Sequence, residues 1–198
     1  RGVAATDSAA GALGDDRGAA RPPLGPTALA ALGAPVGADS ASAAARVPTE
    51  AELHGALLVP VAGVARAALR DGWTERRGAG GERRHEALDI PAPRGTPVLA
   101  AMDGRVVKLF DSRAGGLTVY TSDASGRWLF LYGHLDAWEP GLREGAPIRR
   151  GTVIGRVGSS GNADPAVPHL HFAVARVDSA GQWYGGTPVN PFPLLRGP

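Results

Sequence analysis

Pro168-His169-Leu170-His171-Phe172, running on into Ala173-Val174-Ala175-Arg176-Val177, is the stretch around which the chain downstream of residue 80 is arranged. Two of the five histidines stand there at i and i+2. The apolar, β-prone residues that follow predict a strand. In a strand, side chains two apart share a face, about 7 Å from one another. Two imidazoles so placed can share a metal ion, or one can bind the metal while its neighbour handles a proton. Partners exist upstream: His85 with Asp89, and His134.

Working outward from this strand, short β-like runs alternate with glycine turns. Pro97 to Ala101 and Arg105 to Phe110 are read as a hairpin joined at Asp103-Gly104, a dipeptide suited to a tight turn. Leu117 to Ser122 and Trp128 to Gly133 flank a second turn at Asp123 to Arg127, and Ile148 to Val157 is interrupted by Gly151 and Gly155. Regular short strands with such turns predict an all-β antiparallel architecture. Trp183 to Pro198 carries Pro188, Pro191 and Pro193, so it is expected as an extended closing strap and not as a sheet strand.

Upstream, Thr49-Glu50-Ala51-Glu52 matches a capping box and predicts a short helix from Glu50 to about Ala56, followed by a lead-in strand at Leu57 to Val61. Residues 1–46 are Ala, Gly, Pro, Asp and Ser with scattered Arg and no aromatic residue. Such a segment buries too little apolar surface to offset its ordering entropy and is read as a disordered linker, leaving 47–198 as the domain. The chain starts at Arg1, so it is read as a fragment or processed product, with a possible membrane anchor or signal peptide in the missing N-terminus.

Composition narrows the function. The 198 residues carry a formal charge of +2, and Lys108 is the sole lysine. No basic cluster with interleaved aromatics is present, which argues against nucleic acid as a partner. With no cysteine, disulfides and thiolate metal ligands are excluded. Arg76-Arg77 and Arg83-Arg84 flank Gly78 to Gly81 and are read as a solvated loop, the alternative being a loop over a cleft whose arginines meet carboxylates of a substrate. His54 is assigned no role.

Four of the five histidines and one aspartate fall at strand ends or turns of the β domain. Histidine with carboxylate suggests zinc, and catalytic zinc keeps three protein ligands and one open position. His85, Asp89 and one of the pair His169/His171 supply three. In an extended chain His85 and Asp89 would stand about 13 Å apart, so the backbone must turn between them. The surplus histidines suit hydrolysis: zinc acidifies water and polarises a carbonyl, while an imidazole relays the proton. Period-2 counting places His134 on one strand face with Trp128, Phe130 and Tyr132.

From about Leu58 to Leu195 the chain resembles the LytM/lysostaphin-type zinc metallopeptidases of family M23. The matching pieces are His85-Glu86-Ala87-Leu88-Asp89-Ile90, Arg94-Gly95-Thr96-Pro97-Val98, Asp103-Gly104-Arg105-Val106, Tyr132-Gly133-His134-Leu135, Gly151-Thr152-Val153-Ile154-Gly155, Gly158-Ser159-Ser160-Gly161-Asn162 and His169-Leu170-His171-Phe172. The resemblance implies an antiparallel sheet groove and His85, Asp89 and His171 as zinc ligands. It implies His134 and His169 as catalytic, non-ligand histidines. It also implies peptidoglycan peptides as substrate and a location in the cell envelope, periplasmic or extracellular. Similar proteins usually have Gly at the position of Ala87. Some relatives have lost ligands and act as activators, so the rival reading is a non-catalytic, zinc-binding envelope module that activates a partner cell-wall amidase. A biotinyl-type carrier would need a lysine at a hairpin tip, whereas Lys108 falls inside an expected strand.

Overall fold

The computed structural model describes residues 45–78 and 80–197. The linker expected at 1–46 therefore lies, but for its last two residues, outside the described residues. Arg46 pairs with Glu52, and helix α1 (Glu50–Leu53) begins with the expected reciprocal cap between Thr49 and Glu52. α1 is shorter than expected, since His54 already leaves the helical region. Leu57 to Val61 runs beside the strand Pro97–Leu99 through Leu58 N–H to Ala101 O, Leu99 N–H to Pro60 O and a bridge at Val61. A single 3-10 turn follows at Arg66–Ala68.

A two-stranded ribbon, β1 (Arg76–Arg77) and β2 (Arg83–Arg84), leads into β3 (Leu88–Pro91). The remaining strands are β4 (Pro97–Leu99), β5 (Gly104–Ser112), β6 (Gly116–Ser122), β7 (Trp128–Trp138), β8 (Pro147–Ile148), β9 (Val153–Val157), β10 (His169–Arg176) and β11 (Thr187–Val189). Apart from the ribbon they form one antiparallel sheet, ordered β11-β10-β7-β6-β5-β8, with β3 on β10 and the β4–β9 pair joined through β9 to β7. No helix among the described residues is long and apolar enough to cross a membrane.

Alternation assigns the two faces. Leu88 and Ile90 of β3, Trp128, Phe130 and Tyr132 of β7, and Leu170, Phe172 and Val174 of β10 enter the main core. The opposite face carries a small second cluster of Ala87, Tyr120, Leu131 and Ala173, capped by Phe110 and Trp183. Asp89, His169 and His171 occupy the in-between positions and share this second face.

Two expectations fail here. Pro97–Leu99 and Gly104–Ser112 are not hairpin partners: β4 pairs with β9, and β5 with β8 and β6. Asp103 instead accepts the Arg150 N–H at 2.7 Å, and a Cβ on Gly104 would collide with the Ser122 carbonyl. Gly104 thus serves a close backbone approach and not a tight turn. The C-terminal segment is also more regular than an extended strap. β11 pairs with Val174–Arg176 at the sheet edge, where Pro188 is tolerated. Helix α2 (Pro191–Arg196) then starts with Asn190 as cap and Pro191 in its first turn.

Candidate metal and proton-transfer site

Register sets half of the site. Asp89 lies directly opposite His171 in the β3–β10 ladder, so both side chains leave the same face as near neighbours. His171 Nδ1 is 3.1 Å from Asp89 Oδ1. His85 joins them from outside the ladder. Glu86 takes a left-handed conformation, φ 51°, and its N–H bonds to Trp73 O while the His85 N–H bonds to Glu75 O. This is the turn that the spacing demanded, and it brings His85 Nε2 to 3.0 Å from Asp89 Oδ1. The positive φ falls on Glu86 and not on Ala87. Ala87 is buried in the second cluster instead.

His134 arrives differently again. Val119 pairs with Tyr132 and Leu117 with Leu135, so two steps on β6 face three on β7. This β-bulge reverses the alternation: Leu135, not His134, continues into the main core. The expectation that His134 shares a face with Trp128, Phe130 and Tyr132 is therefore corrected. Nor does β7 end there. It changes partner, from β10 up to Gly133 to β9 from Leu135. His134 sits at the exchange with φ 59°, its N–H bonded to Gly115 O at 2.8 Å. Its ring stands edge-on to those of His169 and His171, centroids 5.1 and 5.5 Å away.

Backbone carbonyls fix the ring nitrogens, because a carbonyl can only accept. His85 Nδ1 donates to Gly72 O at 3.2 Å, His134 Nδ1 to Ser160 O at 2.9 Å and His169 Nδ1 to Val167 O at 2.8 Å. All three therefore carry a lone pair on Nε2. His171 meets Asp89 and His85 through Nδ1. Burial alone would raise the Asp89 pKa, but the adjoining His171 and His85 imidazoles outweigh it and hold the group well below the carboxylate range. Burial pushes His171 down, although Asp89 pulls the other way. For His134, burial and then the neighbouring His171 charge lower the pKa to about 4, against the Ser160 contact. Burial thus disfavours the protonated forms of His134 and His171 beside the Asp89 carboxylate.

That donor set fits a divalent cation. His85 Nε2, His171 Nδ1 and Asp89 Oδ1 form a triangle with edges of 3.0, 3.1 and 3.2 Å. Ligands about 2.0 Å from a tetrahedral zinc would stand about 3.3 Å apart. In their basic forms all three atoms are acceptors, and a cation reconciles them. The second Asp89 oxygen is taken by Arg77 Nη2 at 2.7 Å, and Arg77 also reaches Glu75 at 3.0 Å. Reading 76–84 as a solvated loop missed this contact, which only the β1–β2 ribbon creates. The Ser160 carbonyl was likewise invisible. Its loop is held by Ser160 Oγ to Leu135 O at 2.6 Å and Leu117 N–H to Ser160 Oγ at 2.9 Å. His169 Nε2 stands 3.7 Å from Asp89 Oδ1, at the rim of the triangle. A cavity of about 620 Å³ opens beside His85 and Asp89.

Comparison with known proteins matches residues 83–191 to the model of peptidase family M23. The chain is 33% identical over 132 residues to the L-Ala–D-Glu endopeptidase of Bacillus subtilis, a match covering 64% of this chain and 39% of that protein. It is 40% identical over 111 residues to the DD-carboxypeptidase/endopeptidase Mpg of Neisseria meningitidis, covering 55% of this chain and 22% of that one. The catalytic domain of lysostaphin from Staphylococcus simulans superposes with a TM-score of 0.54 at 26% identity, over 65% of this chain and 92% of that domain. The chain thus spans well under half the length of these two curated relatives.

Proposed function

The chain belongs to peptidase family M23, and on that premise we propose that it is a zinc-dependent endopeptidase that hydrolyses peptide bonds in peptidoglycan stem peptides or cross-links in the cell envelope. The observation that carries this reading is the acceptor triangle His85–Asp89–His171 with two further lone-pair nitrogens, on His134 and His169, at its rim. The curated relatives named above are an L-Ala–D-Glu endopeptidase and a DD-carboxypeptidase/endopeptidase, which supports peptides containing D-residues, as in peptidoglycan stems, as the substrate class.

His85, Asp89 and His171 would hold the ion, and zinc there would supply Lewis acidity to the scissile carbonyl and to the attacking water. The remaining chemistry belongs to the chain. Nε2 of His134 and Nε2 of His169 are both positioned as bases. Nε2 of His169 stands 3.7 Å from Asp89 Oδ1, at the edge of the ligand triangle. A proton taken by His134 sits where burial disfavours the cation, at a pKa of about 4. His134 would pass it on readily, and the leaving amine needs such a proton. Arg77 holds Asp89 from behind, so that one carboxylate oxygen faces the imidazoles.

Purified sacculi incubated with the protein, with and without a zinc chelator, test the proposal by mass spectrometry. New peptide fragments that disappear with chelator are expected, and their masses identify the bond. Intact sacculi despite bound zinc would overturn the reading in favour of a module that activates a partner hydrolase.

A further inference from the structure

The cavity beside His85 and Asp89 is not used by the chemistry above. Its outer wall is Val64, Ala68, Leu69 and Arg70, and its inner end is the ligand pair. At about 620 Å³ it has the size of a small-molecule site, room for more than one amino-acid residue. The lining is largely apolar; its charged residues are Arg70, Glu75 and Asp89, of which Arg70 alone is basic. Arg70 is exposed and forms no ion pair among the described residues. Both acidic groups near it in sequence are engaged elsewhere. Asp71 accepts from the Trp73 N–H at 3.0 Å and from Asn190 at 3.2 Å, and Glu75 pairs with Arg77 at 3.0 Å. Asp89, at the inner end, is engaged by Arg77 as well.

The wall that carries Arg70 is braced in advance. Arg66 Nη2 donates to Leu57 O at 2.6 Å and to Gly55 O at 3.2 Å, Leu69 N–H closes onto Arg66 O, and the Leu69 side chain is buried. The Asp71–Asn190 contact ties the end of the segment to the cap of α2. A braced apolar wall with an uncommitted arginine, in a cavity that His85 and Asp89 also line, has a chemical complement. It is a short peptide carrying a free carboxylate near its scissile bond. Stem peptides of peptidoglycan carry such carboxylates, on γ-linked and C-terminal residues, whereas glycine bridges carry none.

We propose that this cavity is a specificity pocket in which Arg70 pairs with a free carboxylate of the stem peptide, so that the protein prefers carboxylate-bearing stem peptides to neutral ones. The inference rests on the peptidoglycan reading above. Guanidinium and carboxylate meet as two parallel charge-assisted hydrogen bonds, and neither a carboxamide on the ligand nor a glutamine at position 70 reproduces them.

The test is calorimetric titration of the zinc-loaded full chain with L-Ala-γ-D-Glu-L-Lys-D-Ala, carboxyls free in one probe and both amidated in the other. Wild type should bind the free acid about tenfold more tightly, and Arg70→Gln should reduce that preference to about twofold or less with zinc content unchanged. A preference equal in wild type and variant would mean that the carboxylate is read elsewhere, and no preference in wild type would mean that it is not read at all. Either result overturns the proposal. Cleavage of the same probes is followed separately by mass spectrometry. An Arg70-dependent preference without cleavage would defeat the peptidase reading and leave the pocket assignment standing.

Discussion

The site joins a regular half to an irregular one. Asp89 and His171 are cross-strand neighbours in an undistorted antiparallel ladder, and the hydrogen bonds of the sheet position them. His85 and His134 each stand at or beside one of the two non-glycine residues with positive φ among the described residues, Glu86 and His134 itself, and each ring is oriented by a loop carbonyl, Gly72 or Ser160. The regular half fixes where an ion can sit. The irregular half brings groups to that place from chain that could not otherwise reach it, and holds them in conformations that cost about 1–2 kcal/mol apiece.

The largest effect should come from breaking the regular half. Asp89→Ala removes the only carboxylate of the triangle and leaves Arg77 without this partner. Metal analysis should show zinc falling to background, and sacculus digestion should slow by about a thousandfold or more. Zinc retained at full occupancy would show that the triangle is not the metal site. His134→Ala breaks the other half. The expected outcome is full zinc content with cleavage reduced by about 10²–10⁴-fold. Zinc lost together with activity would erase the distinction between the two halves.

His134 also gives the irregular half a pH signature. Its pKa is lowered to about 4 in the folded chain and returns to about 6.5 on unfolding. The unfolded state therefore binds the proton first. The stability tied to neutral His134 is complete above about pH 6.5, is lost as the pH falls toward 4, and changes no further below that, by about 3 kcal/mol in all. Urea titrations of chelator-treated protein should show this slope, and His134→Gln should flatten it. Arg77→Ala tests the support behind the regular half. With Asp89 no longer held at its outer oxygen, zinc affinity measured against a competing chelator should fall about 10–100-fold. Cleavage at saturating zinc should change by less than about threefold. A rate loss that zinc cannot restore would place Arg77 in the chemistry itself.

The same division decides what the sequence reveals. The antiparallel class, the β6–β7 turn and the His169/His171 pair follow from period-2 alternation, and the ladder preserves that alternation through β10. The motif resemblance singled out the five residues that the fold brings together. Alternation fails at His134 because a bulge inserts one residue into β7, and nothing in Tyr132-Gly133-His134 announces it beyond the glycine. The Asp103-Gly104 hairpin fails for a different reason. A glycine needed for a close approach to Ser122 has the same one-letter code as a glycine needed for a turn. Arg77 and Ser160 were hidden because their roles are long-range contacts, across 12 and 26 positions, that no local pattern encodes.

The smallest predicted effect separates the two residues of the His85–Asp89 turn. The family resemblance of His85-Glu86-Ala87-Leu88-Asp89 implies glycine at the position of Ala87, which would place the freedom of the turn there. Yet the left-handed residue is Glu86, φ 51°, while Ala87 is buried against Tyr120, Leu131 and Ala173. Ala87→Gly should therefore lower stability by about 1 kcal/mol through lost burial and added backbone entropy, with no gain in cleavage. Glu86→Gly exchanges a left-handed conformation that costs about 1–2 kcal/mol for a glycine entropy cost of about 0.5–1 kcal/mol, and should be neutral to slightly stabilising. The comparison is one of sign, read from two denaturation midpoints. If Ala87→Gly were the stabilising change, the turn would carry its strain one residue later than described, and the path by which His85 reaches Asp89 would have to be redrawn.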